Sequence, residues 1–79
     1  MATARGIVST PGVMLGKPCV AGTRITVEHV LRELAAGLSV EQVVDEYPPL
    51  TREDVLAALA FAASAVELER AYESSHDAA

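Results

Sequence analysis

Few side chains in this sequence can do chemistry, and they are scattered. Cys19 is the only cysteine, and His29 and His76 are the only histidines. A nucleophilic thiol or hydroxyl needs a base held at a recognisable spacing, and neither histidine stands in such a motif. His29 falls on a predicted helix and His76 in the tail, so all three residues read as structural or solvent-facing. Glu41, Asp45 and Glu46, followed by Glu53 and Asp54, gather around a predicted turn. They lack a histidine and the regular loop spacing of a cation site, so a solvated acidic face is the expectation. Gly12, Gly16 and Gly22 do not form a phosphate loop, because Lys17 is followed by Pro18 and not by Ser or Thr. No catalytic residues, no metal, no cofactor and no small-molecule substrate are expected.

The remaining chemistry is charge. Arg5, Lys17 and Arg24 precede Glu28 with no acid among them, whereas the rest of the chain sets Arg32, Arg52 and Arg70 against eleven acids. The head therefore carries +3 and the body −8, for a net charge of −5. Phosphate affinity comes from neutralising Lys and Arg, so the whole chain is a poor nonspecific binder of nucleic acid. If DNA is a partner, the contact falls to Arg5, Lys17, Thr23 and Arg24. The competing reading, favoured because so few cations grip phosphate weakly, has Lys17 and Arg24 as surface charges of the hairpin, or Arg24 tying the hairpin to an acid on the helices.

Position depends on the elements. Residues 1–10 form an N-terminal arm in which Ile7 and Val8 suit an edge strand or a mobile segment. Val13-Met14-Leu15 and Cys19-Val20 are short apolar runs separated by Gly16-Lys17-Pro18, which predicts a small β-hairpin. Thr26 caps a first helix whose apolar face is Val27, Val30, Leu31, Leu34, Ala35 and Leu38, and Gly37 stops it. Ser39 with Gln42 is a capping box opening a second, short helix that ends at Pro48-Pro49. Thr51 caps a third helix, with Asp54 at the capping-box position, running from Arg52 to about Tyr72. Residues 74–79 read as a frayed tail. The fold class expected is mainly α, a short N-terminal β-hairpin followed by a three-helix, helix-turn-helix-like core over residues 11–73. A recognition role for the third helix is disfavoured, since Arg52 is followed by Glu53 and Asp54, which repel phosphate.

The third helix is apolar almost all round between Val55 and Val66, and a chain of 79 residues has a thin core. Such a helix needs a partner, so homodimerisation is expected. Val13, Leu15 and Val20 of the hairpin and Leu59, Phe61, Ala62, Ala65, Val66, Leu68 and Tyr72 of the third helix are the expected oligomer or partner interface. The N-terminus has no secretory apolar run and no segment suits a membrane span. A single cysteine suits a reducing cytoplasm.

The residues also carry a resemblance. Pro11-Gly12-Val13, Gly16-Lys17-Pro18, Gly22-Thr23-Arg24-Ile25, Leu34-Ala35-Ala36-Gly37-Leu38-Ser39, Tyr47-Pro48, Leu50-Thr51 and Glu53-Asp54-Val55 with Ala57-Ala58-Leu59 resemble the family called domain of unknown function 433. The likeness covers roughly residues 11 to 63. Phe61 stands where Tyr is usual and Cys19 where Val or Ile is usual, and both stay apolar. The resemblance implies a small helix-turn-helix-like domain of antitoxin-like character, encoded beside a PIN-like ribonuclease toxin. The expected function is thus a non-enzymatic antitoxin-like regulator that dimerises, binds such a partner and contacts DNA through its head. The alternative is an interaction module with no DNA role.

Overall fold

The computed structural model describes residues 5–77, with side chains described as far as residue 68. Two strands, β1 (Ile7–Val8) and β2 (Cys19–Val20), precede three helices: α1 (Val27–Ala35), α2 (Val40–Glu46) and α3 (Arg52–Asp77). The fold is mainly helical with a two-stranded antiparallel sheet at the N-terminus, as the pattern predicts. No helix among the described residues is long and apolar enough to cross a membrane.

The helix ends follow from local chemistry. Thr26 Oγ1 accepts from the His29 amide at 2.9 Å, opening α1. At its other end Gly37 sits at φ +106°, so its N–H reaches the Leu34 carbonyl and the Leu38 N–H reaches Glu33, a Schellman closure. Ser39 and Gln42 satisfy each other's amides at the start of α2. Thr51 Oγ1 accepts from the Asp54 amide while Asp54 Oδ2 accepts from the Thr51 amide, the reciprocal box that opens α3. That helix continues to Asp77, past the end near Tyr72 that the sequence suggests. At 26 residues it is roughly 39 Å long on the standard rise.

The core is small and aliphatic. Val20, Val27, Val30, Val43, Leu50, Val55 and Ala58 are buried together, drawn from β2, the three helices and the turn before α3, with Ile7, Ile25 and Leu34 packed around them. Val20 therefore belongs to the interior, at 1% exposure, and is not a surface for another chain as expected.

The hairpin is built from other residues than the apolar runs suggest. Cys19-Val20 pairs with Ile7-Val8, Ile7 opposite Val20 and Val8 opposite Cys19. Val13-Met14-Leu15 is not a strand; Met14–Gly16 is a tight 3-10 turn. Lys17 precedes a proline and is held extended at φ −66°, ψ 147°, so it cannot take the bent position that would fold residues 13–15 back onto Cys19. The chain instead makes a longer loop and recruits the arm. Within that loop Met14 (φ +48°) and Leu15 (φ +61°) both adopt the left-handed conformation, which costs non-glycine residues roughly 1–2 kcal/mol each. Gly22, at φ +78°, makes the next turn, after which the Val20 amide donates to the Ile25 carbonyl and the Val27 amide to Pro18.

Candidate protein-interaction face

The basic head is largely neutralised within the chain. The Arg5 backbone N–H donates to Asp54 Oδ1 at 3.2 Å, and its guanidinium donates to Asp54 Oδ2 at 2.9 Å and to the Pro49 carbonyl. Asp54 is buried at 1% exposure. Burial pushes its pKa up, but the hydrogen bonds from Arg5 and Thr51 outweigh this and hold it below the ordinary carboxylate value. Lys17 Nζ lies 2.7 Å from Glu28 Oε1, and Arg32 lies 2.9 Å from Glu28 Oε2 on the next turn of α1. Hydrogen bonds from Lys17, then Arg32, bring Glu28 down to about 2. Arg52 reaches Glu41 at 3.4 Å, tying α3 to α2. The tie between head and helices is therefore made by Arg5 and Lys17, not by Arg24. Among the described residues Arg24 forms no ion pair; it lines a small depression with Thr23, Val8 and Cys19. The expected nucleic-acid set is thus not one cluster of free cations.

The apolar residues do converge. Between α1 and the middle of α3 runs an open groove of about 550 Å3, with Val27, Leu31 and Ala35 on one wall and Phe61, Ala62, Ala65 and Val66 on the other. Lys17 and Pro18 close one side, and Glu28 and Arg32 form its polar rim. The α1 wall repeats every fourth residue, so the stripe that faces the core also overhangs the groove. Past Ala62 the groove wall runs into solvent at Val66, 60% exposed, while Leu68, 76% exposed, lies about 200° round the helix from it. Phe61 is exposed as well, whereas Leu59 and Ala62 are half-buried. Leu15 stands out at 93% exposure, with Met14 beside it, and Val13 is half-covered. The expected contact at Tyr72 lies outside the residues whose side chains are described.

The comparison with known families uses the same region. The family model described as "Protein of unknown function (DUF433)" matches residues 7–62. The chain belongs to the DUF433 family. The match begins at β1 and ends at Ala62, the last α3 residue packed on the core. The uncharacterised protein y4eO of Sinorhizobium fredii is 41% identical over 63 residues, which cover 78% of this chain but 28% of that protein. This DUF433 chain thus spans under a third of that relative's length. A crystal structure of a DUF433 member from Anabaena variabilis superposes with a TM-score of 0.75 at 31% identity, covering 81% of this chain and 63% of that one.

One further cluster escapes sequence reading. His29 Nε2 is hydrogen-bonded to the Tyr47 hydroxyl, with the two rings edge to face at 5.3 Å and 87°. Beside them Glu33 has one buried carboxyl oxygen without a partner. A hydrogen bond shared with Glu46, and then burial, raise the Glu33 pKa; burial, then Glu46 and Glu33, raise that of Tyr47. The only sequence signal was the His29 to Glu33 spacing of one helical turn. The groups join the end of α2 to α1, and no three His, Cys, Asp or Glu among the described residues are placed to hold a metal ion. Cys19 is buried and accounts for no exposed thiol.

Proposed function

We propose that this DUF433 protein is a non-enzymatic, antitoxin-like interaction module that pairs with a second copy of itself and, so assembled, holds a partner protein. The observation that carries this is the apolar face formed by the α1–α3 groove, whose α3 wall leaves Phe61 and Val66 exposed. The radius of gyration is 14.2 Å, where about 11.6 Å is usual for this length, because α3 runs on to Asp77, well past Ala62, its last residue packed on the core.

The test is light scattering on the eluting protein at tens of micromolar. A dimer is expected for the wild type, and a monomer with unchanged helical circular dichroism for Phe61→Asp combined with Val66→Asp. A monomeric wild type refutes the reading. A PIN-like ribonuclease toxin is the partner proposed on the family resemblance, in a cytoplasmic setting that suits the lone free thiol. Co-expression with the adjacent gene product should give co-purification and relief of toxicity; no binding removes the antitoxin role.

The protein-only form is favoured over DNA contact because Arg5, Lys17 and Arg52 each face a carboxylate. In a gel-shift series across salt, the chain should leave DNA unshifted. A shift abolished by Lys17→Glu with Arg24→Glu would restore the DNA role.

A further inference from the structure

We infer that the junction of α1 and α2 is a proton-operated latch: Glu33 of α1 and Glu46 of α2 hold one proton between them, and its loss releases the end of α2. The device is independent of the self-association proposed above.

Four groups that can carry a proton meet at this junction. His29 and Glu33 stand one helical turn apart on α1, and Glu46 and Tyr47 are the last residue of α2 and its cap. The Tyr47 hydroxyl is hydrogen-bonded to His29 Nε2 and lies within hydrogen-bond reach of both carboxylates, which also reach each other. One Glu33 oxygen, Oε1, is buried with no donor facing it. An ionised carboxylate only accepts hydrogen bonds, so two in contact set acceptor against acceptor. One proton between them turns that clash into a hydrogen bond and accounts for the orphaned oxygen. The neighbouring cations do not neutralise the pair: Arg32 turns to Glu28 at 2.9 Å, and Arg52, which α3 sends toward α2, is held by Glu41.

Two like charges sharing a site do not ionise together, and the second proton leaves only at raised pH. The hydrogen bond shared with Glu46, then burial, move the Glu33 pKa in that direction. The latch is therefore complete below the ordinary 4.5 and lost as pH rises through the raised folded-state value. His29 acts the other way, its positive form drawing Glu33 toward ionisation. The release stays local, because the Ser39–Gln42 capping box fixes the start of α2 and buried Val43 fixes its middle. What loosens is the last turn with Tyr47 and the prolines behind it. Pro49 offers its carbonyl to Arg5, so the same proton reaches the head of the chain.

Carboxyl carbon NMR on the full chain across pH, with amide exchange read as protection factors, tests this. Glu33 and Glu46 should titrate as a coupled pair in two steps, one of them above the ordinary 4.5. The Tyr47 amide, which donates to the Val43 carbonyl at 3.0 Å, should lose protection roughly fivefold through the upper step, the repulsion of two carboxylates at the solvent boundary. Separate single steps for the two residues, or Tyr47 protection flat across the upper step, overturn the inference. Glu46→Gln provides the second measurement: it should bring the Glu33 step down toward 4.5 and remove the pH dependence of Tyr47 protection. A loss of protection that survives Glu46→Gln but vanishes in His29→Gln assigns the switch to the imidazole and overturns the shared proton.

Discussion

Asp54→Ala is the sharpest perturbation of the fold, because one buried carboxylate holds two distant parts of the chain together. Asp54 accepts from the Arg5 backbone amide at 3.2 Å, from the Arg5 guanidinium at 2.9 Å and from the Thr51 amide at 2.9 Å. Losing a hydrogen bond to a charged group costs roughly 1.5–3 kcal/mol, and the Thr51 cap itself stays, because the amide of residue 54 still donates to Thr51 Oγ1. The Arg5 side chain is 40% exposed and rehydrates in part, which brings the total to about 3 kcal/mol. A chain of 79 residues has a stability on the order of 4–12 kcal/mol. The variant should therefore melt roughly 12–24 °C lower. Arg5→Met leaves the Thr51 bond in place and should cost about half as much. The double variant should fall short of the sum by about 1 kcal/mol or more, the coupling expected of a direct pair.

Acid adds a second signature. The folded-state pKa of Asp54 lies below its ordinary value of 3.8. Its contribution is therefore complete above that value and lost as pH falls through the lowered folded-state pKa. Asp54→Ala should remove that acid-side loss from the pH profile of urea unfolding. An Asp54→Ala protein within about 0.5 kcal/mol of wild type, or a coupling near zero, would refute the reasoning.

Glu33→Gln should raise the urea midpoint at pH 7 and leave it unchanged near pH 4. Glu33 faces Glu46, His29 and Tyr47, and its raised pKa means that stability is complete below the ordinary 4.5 and lost as pH rises through the folded-state value. Glutamine keeps a donor toward Glu46 without the charge, so equal midpoints at pH 7 would sink this account. Gly37→Ala should destabilise by about 1–2 kcal/mol although no atom lies within 4 Å of the added Cβ, because the cost is in the backbone at φ +106°. A stability unchanged in urea would show that the Schellman closure tolerates an L side chain.

The sequence by itself determined the helical half of this protein. Thr26, Gly37, Ser39 with Gln42, and Thr51 with Asp54 act within three or four residues of where they stand, so their roles can be read from spacing alone. Val27 and Val30 of the core follow the helical period of α1, as Val43 and Val55 follow those of α2 and α3. Only the tertiary structure decided what β2 pairs with and where the head's charges go. Val13-Met14-Leu15 has the composition of a strand, but the extended pre-proline Lys17 closes off the short hairpin, and Ile7-Val8 takes the place from outside the local window. That exchange sends Val20 inward and Leu15 outward, dividing residues that composition had grouped together. Arg5 meets Asp54 across 49 positions, a pairing that no periodicity encodes because it depends on how the strand lies over the start of α3. The groove has the same origin: each wall is legible as an apolar stripe, but whether α1 covers all of α3 or stops short depends on how the two helices pack and where each ends.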